Sequence, residues 1–233
     1  VDLLSPTEWE ILLLSLKVSG VAMLAALPVA FALAWMLARW RFPGKVLLDA
    51  AVHLPLVLPP VVTGWLLLIA FSPNAPLGRF LEQAFGLTFL FRWTGAALAA
   101  AVMALPLMVR AMRLSLEAVD RRLESAARTL GAGPWRTFTN VTLPLSANGI
   151  LAALVLGLAR SVGEFGATIT FASNIPGETQ TLPLAIYSAL QMPGSDIQVA
   201  RLAGLSVALS VAALVLSEWL ARRSGQEKGR HVL

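Results

Sequence analysis

Val18 to Ala38 reads VSGVAMLAALPVAFALAWMLA, a run with no Asp, Glu, Lys or Arg that is closed by Lys17 on one side and Arg39 on the other. A bilayer core is about 30 Å thick and takes roughly 20 mostly apolar residues as a helix, so this run is long enough to cross one. Four more stretches reach a similar length: Ala51 to Phe71, Gly95 to Met112, Gly149 to Thr170 and Val199 to Leu220. The expectation is an all-α, polytopic membrane protein, a single domain over 1–233 with about five transmembrane helices at 18–38, 51–71, 95–112, 149–170 and 199–220.

Composition agrees. Of 233 residues, 57% are hydrophobic and 13% are charged, where a soluble domain carries about a quarter charged. Mean hydropathy is +0.74. The net charge of +5 does not indicate nucleic acid, because the basic residues lie between apolar spans and form no patch of the kind that binds phosphates. There is no cysteine, which excludes disulfides and thiolate metal sites, and only His53 and His231 could supply imidazole. No cofactor is expected in this chain. Ser5, Pro6, Thr7 and Glu8 form a capping box with Pro at the first helical position, so the N-terminal segment reads as a helix start rather than a cleavable signal.

Short cytoplasmic loops collect Lys and Arg. Arg39, Arg41 and Lys45 follow the first span; Arg110, Arg113, Arg121, Arg122, Arg128 and Arg136 follow the third; Arg222, Arg223, Lys228 and Arg230 fall at the end, the last two in the 224–233 tail. Thirteen of the eighteen basic residues therefore share one side if the N-terminus is outside and the C-terminus is cytoplasmic. Ala84 to Phe91 and Leu182 to Met192 are apolar but too short to span, and are expected as interfacial or re-entrant pieces on the outer side. Lys17 and Arg201 stand at outer span ends, where they either snorkel to the interface or draw an anion to the mouth.

Pro55, Pro59 and Pro60 remove backbone donors from the second span. Hydrocarbon tolerates freed carbonyls only where protein or water satisfies them, so Pro59 and Pro60 mark either a pore wall or a kinked packing helix. In the fourth span an ionisable Glu164 costs roughly 2.5 to 3.5 kcal/mol to insert. Arg160 stands one helical turn earlier, and the two form an intramembrane pair first and a gate second. Gly163 and Gly166 flank the acid and allow close helix approach. Ser161, Thr168 and Thr170 either line a hydrated path or pack against neighbours.

The cytoplasmic region about 117–145 contains Leu123-Glu124-Ser125-Ala126-Ala127-Arg128-Thr129-Leu130-Gly131-Ala132-Gly133-Pro134 and then Val141-Thr142-Leu143-Pro144-Leu145. Ala126, Ala127 and Leu130 share a helical face. Gly131 and Gly133-Pro134 turn the chain, and Trp135, Phe138 and Val141 form a second apolar face. Two short helices joined by a glycine turn present a knob suited to a groove on a partner.

This region resembles the Glu-Ala-Ala loop of ABC importer permeases, with Glu-Ala-Ala falling on Ser125-Ala126-Ala127, the acid displaced to Glu124, and Gly131, Ala132, Gly133, Leu143 and Pro144 completing it. The stretches Ser161 to Thr170 and Ser173 to Tyr187 are similar to molybdate permeases, and Gly163-Glu164-Phe165-Gly166 is shared with sulfate and thiosulfate permeases. The resemblance implies a type I ABC importer permease fold in the cell inner membrane. It implies import of molybdate, with tungstate on the same path, by a homodimer of this chain set in lipid, two ABC ATPase subunits at the cytoplasmic loop and a periplasmic molybdate-binding protein. ATP and Mg would be used by the ATPase, since no G-x-x-x-x-G-K-[ST] loop occurs here and Pro43-Gly44-Lys45 lacks the upstream glycine. Sulfate or thiosulfate import is the alternative within this class; an ion-coupled carrier would need repeats and midmembrane relays.

Overall fold

The computed structural model describes residues 4–229. Arg230, His231 and the end of the 224–233 tail lie outside the described residues. Eleven α-helices and one π-turn follow in order: α1 Pro6–Arg39, α2 Lys45–Val57, α3 Pro60–Phe71, α4 Pro76–Phe85, α5 Trp93–Glu117, α6 Arg121–Thr129, α7 Pro134–Thr137, the π-turn Phe138–Thr142, α8 Leu143–Val162, α9 Gly166–Phe171, α10 Leu182–Leu190 and α11 Asp196–Gly229.

The capping box forms as the sequence requires: Glu8 N–H donates to Ser5 Oγ, and Ser5 N–H to Glu8 Oε2. From there α1 runs unbroken for 34 residues, about 50 Å at 1.5 Å per residue, and so extends past the bilayer core. Its buried side is a ladder of Ala22, Ala26, Ala30 and Ala34 at one residue per turn. It faces Ala96, Ala97, Ala100, Ala101 and Ala104 of α5, with Met108, Val109, Met112 and Leu116 below and Ala153 of α8 completing the core. In lipid, apolar burial gives no drive for helices to associate, so close backbone approach and dispersion must do so; small side chains permit it. Gly149 and Gly157 of α8 are examples: a Cβ at Gly149 would fall 2.1 Å from Ser115 Cβ of α5, and one at Gly157 2.7 Å from Met23 Sδ and 2.8 Å from Met108.

Among the described residues, four helical stretches are long and apolar enough to cross a membrane: α1, α5, the continuous run Pro134–Val162, and α11 over Asp196–Ala213. The fifth is not the single helix expected over 51–71. It is the pair α2 and α3, bent by 117°. Leu58 and Pro59 are extended, at ψ 142° and 135°. A residue before proline is pushed out of the α region, and two prolines in sequence impose this on Leu58 and Pro59 in turn. Pro55 sits inside α2 without ending it.

Three other expectations change. The span expected over 149–170 stops at Val162 and resumes as α9 after a break at Gly163 to Phe165. The second helix of the 117–145 loop is not separate, because α7, the π-turn and α8 form one continuous path. Pro144 explains the π-turn: its ring clashes with the carbonyl four residues back, and a wider turn relieves that. Ala84 to Phe91 is the tail of α4 followed by loop, since Gly86 at φ 64° ends the helix.

Candidate functional site

Two places gather the polar side chains that the sequence singles out. The first is the loop after α5. Asp120 caps α6 by accepting from Arg122 N–H at 2.9 Å, and α6 ends at Leu130, whose N–H donates to Ala126 O. Gly131 then adopts φ +86° with no other atom near its absent Cβ. Its contribution is the left-handed backbone; close approach to a neighbour is not involved. Gly133 is extended and starts α7.

Glu124 faces inward from this helix. Arg39 at the end of α1 donates to it through both guanidinium nitrogens, Nη1 to Oε2 at 3.1 Å and Nη2 to Oε1 at 2.8 Å. Thr142 Oγ1 in the π-turn donates to the same Oε1 at 2.6 Å. The two side chains are 11% and 13% exposed. Ser125 is exposed, and its hydroxyl donates to Arg121 O. Ala127 and Ala132 are half-buried; Ala126 is exposed. Phe138 packs edge-on against Trp35 at 5.1 Å and Phe31 at 6.1 Å, which docks the π-turn on α1. Leu143 is half-buried and Pro144 exposed. A cleft of about 380 Å³ opens among Trp40, Arg121, Ser125, Arg128 and Thr137. Outward, Leu130 and Trp135 are 88% and 73% exposed, a large cost in water for a loop with no occupant.

The second place is where the two helix breaks meet. Arg160 Nη1 lies 2.6 Å from Glu164 Oε2, and the carboxylate is almost wholly buried. Its other oxygen accepts from Ala167 N–H at 2.8 Å, so Glu164 also caps α9. The acid thus sits in a break, not in a continuous helix, and the exposed backbone donors of α9 share it with Arg160. Gly166 and Gly64 bring α9 onto α3: a Cβ at Gly166 would fall 2.7 Å from Pro60 Cβ, and one at Gly64 2.6 Å from Ala167 O. Gly163 only ends α8, with Ala159 O at 3.8 Å as its near neighbour. Ser161 and Thr168 are buried, and Thr170 Oγ1 donates to Gly166 O at 2.9 Å. Pro59 stands at the turn into α3.

On the opposite face, Lys17 and Arg201 do not snorkel freely. Lys17 Nζ lies 3.7 Å from the centre of the Trp93 ring, a cation–π contact, and Arg201 Nε lies 3.3 Å from Glu8 Oε1. Sequence reasoning missed Arg39, Thr142 and Gly64 as site residues. Arg39 carries one signal, a cation at a span end with an acid elsewhere on the same side, but spacing cannot pair residues 85 apart.

Residues 26–226 match the family described as binding-protein-dependent transport system inner membrane component. The chain is 57% identical over 228 residues to the molybdenum transport system permease protein ModB of Escherichia coli K12, covering 98% of this chain and all of that one. The sulfate transport system permease protein CysT of the same organism is 41% identical over 159 residues, 68% of this chain and 57% of that one. Among solved structures, a bacterial alginate ABC transporter, crystallised with its alginate pentasaccharide-bound periplasmic protein, superposes with a TM-score of 0.74 at 20% identity, covering 94% of this chain and 80% of that one. That likeness shows the fold alone, one shared with a membrane-spanning chain of an ABC transporter. With its helices long enough to cross the bilayer and a family match over most of its length, this chain belongs to the binding-protein-dependent transport system inner membrane components.

Proposed function

We propose that the chain is the transmembrane permease of an ATP-driven importer that carries molybdate, and tungstate by the same path, from the periplasm to the cytoplasm by alternating access. The observation that carries this is the full-length identity to a molybdenum permease, set against a sulfate permease match that covers a little over half of its relative. Two copies of the chain surround the path. Two ABC ATPase subunits dock beneath them and use ATP and Mg, and a periplasmic binding protein delivers the oxyanion. The exposed Leu130 and Trp135 on the 117–145 loop support an ATPase contact there, because apolar side chains of that size are best kept from water by a partner. The breaks at Pro59 and Glu164 support a gate where α3 meets α9.

The test is reconstitution with ATPase and binding protein. ATP-dependent uptake of labelled molybdate, competed by tungstate and not by equal sulfate, is the expected result. Sulfate competing as well as tungstate, or uptake without the ATPase, would overturn the reading. Orientation is tested separately: a reporter after Arg230 should be cytoplasmic, and a tag at Asn74 in the turn after α3 should be reachable from outside. Finding both on one side would refute the five-span topology.

A further inference from the structure

Arg39 belongs to no motif of the loop, yet it holds the loop's Glu124 through both guanidinium nitrogens. We propose that Arg39 and Thr142 are positioning residues for the transport stroke, forming with Glu124 a clamp that fixes α6 to the end of α1 and the start of α8. This rests on reading 117–145 as the ATPase contact.

Three observations carry it. Within α6 only Glu124 and Ala127 are not exposed, so a nine-residue helix is held by one small apolar side chain and this carboxylate. The Arg39 contact is a two-pronged fork, which sets orientation as well as distance, and Thr142 holds the same carboxylate from a third element. A freely exposed ion pair would do little of this, because water and salt screen it and both side chains must be ordered to form it. Here both are about nine-tenths buried.

The element receiving the clamp is suited to carry motion. Helix α1 is a single 34-residue rod with polar fixings at its far end as well. Ser15 Oγ accepts from Leu182 N–H at 2.8 Å, tying α10, and Glu8 meets Arg201 of α11. A displacement of α6 applied through Arg39 therefore reaches the elements on the opposite face, while the same displacement applied to an unclamped α6 is taken up by the Gly131 turn. Coupling of this kind requires that the contact transmit a difference between states and not merely stabilise one.

A static staple and a clamp differ in one measurable ratio. Full transporters carrying Glu124→Gln, Arg39→Ala, Arg39→Lys or Thr142→Val are reconstituted with the ATPase and binding protein, and oxyanion taken up per ATP hydrolysed is measured beside the amount of ATPase copurified. The expected result for Glu124→Gln and Arg39→Ala is a ratio at least five-fold below wild type with the ATPase still bound. Arg39→Lys should recover part of it, since an ammonium keeps the charge but not the fork. Where Glu124→Gln fails to accumulate, the two Arg39 variants decide by the same ratio. An unchanged ratio in Arg39→Ala, even with less protein in the membrane, would leave only a staple and overturn the clamp. ATPase failing to copurify with the wild-type chain would instead remove the functional reading on which the clamp depends.

Discussion

Glu124 and Glu164 each face an arginine from inside the protein, but Glu124 reaches Arg39 across 85 residues while Glu164 reaches back one turn to Arg160. The long-range pair sets where a loop sits on the transmembrane scaffold. The local pair shapes the break between α8 and α9, neutralising the acid and capping α9. The same two functional groups therefore serve assembly in one region and local backbone in the other. Their surroundings differ too: the Glu164 carboxylate has almost no solvent access, and the Glu124 side chain retains a little.

The most damaging way to test that contrast is Glu164→Ala. It leaves Arg160 without its counter-charge and Ala167 N–H without an acceptor, at about 3 kcal/mol, the low end for a broken buried pair because Arg160 is partly exposed. Thermal unfolding in detergent should show this, and the double variant with Arg160→Ala should couple by more than about 1 kcal/mol. Additive losses would mean that the pair is incidental.

Next in size, Gly166→Val should cost about 2 kcal/mol by overpacking against Pro60, and Gly166→Ala should already lower stability because the first added carbon meets the ring. Gly131→Val should cost roughly 1–2 kcal/mol by forcing a β-branched residue to φ +86°. It should leave the spans inserted while lowering uptake and ATPase activity. Gly131→Asn should restore much of that, since Asn tolerates the left-handed region. Size thus governs tolerance at the break, and φ governs it at the loop; equal effects of Ala and Asn at both sites would erase the distinction. The smallest change, Thr142→Val, removes one hydrogen bond and should cost about 1 kcal/mol or less in stability. Near-native unfolding with altered uptake per ATP would separate positioning from stability.

Much of this was legible along the chain. Ser5 and Glu8 cap α1 because the capping box is local, and Arg160 meets Glu164 because four residues make about one helical turn. The proline pair announced an interruption in the second span, though not its 117° bend. The apolar face of Trp135, Phe138 and Val141 predicts a separate second helix in the loop; a π-turn instead joins it to α8 and lets the helix continue through Pro144. Lys17 and Arg201 looked like snorkelling cations, and each has a specific partner, Trp93 and Glu8, contributed by a distant segment.

Sequence alone determined that the chain is helical, crosses a membrane several times and carries a glycine-turned loop of the importer-permease type, since span length, charge placement and turn chemistry are local properties. Only the tertiary structure decided that Arg39 and Thr142 converge on Glu124, and that Pro60 and Gly64 meet Gly166 and Ala167. The physical reason is that a membrane helix is apolar on every side, so its hydrophobic pattern does not say which face turns inward. That choice is made by how closely small side chains let backbones approach, and by which distant polar groups can satisfy one another once they do.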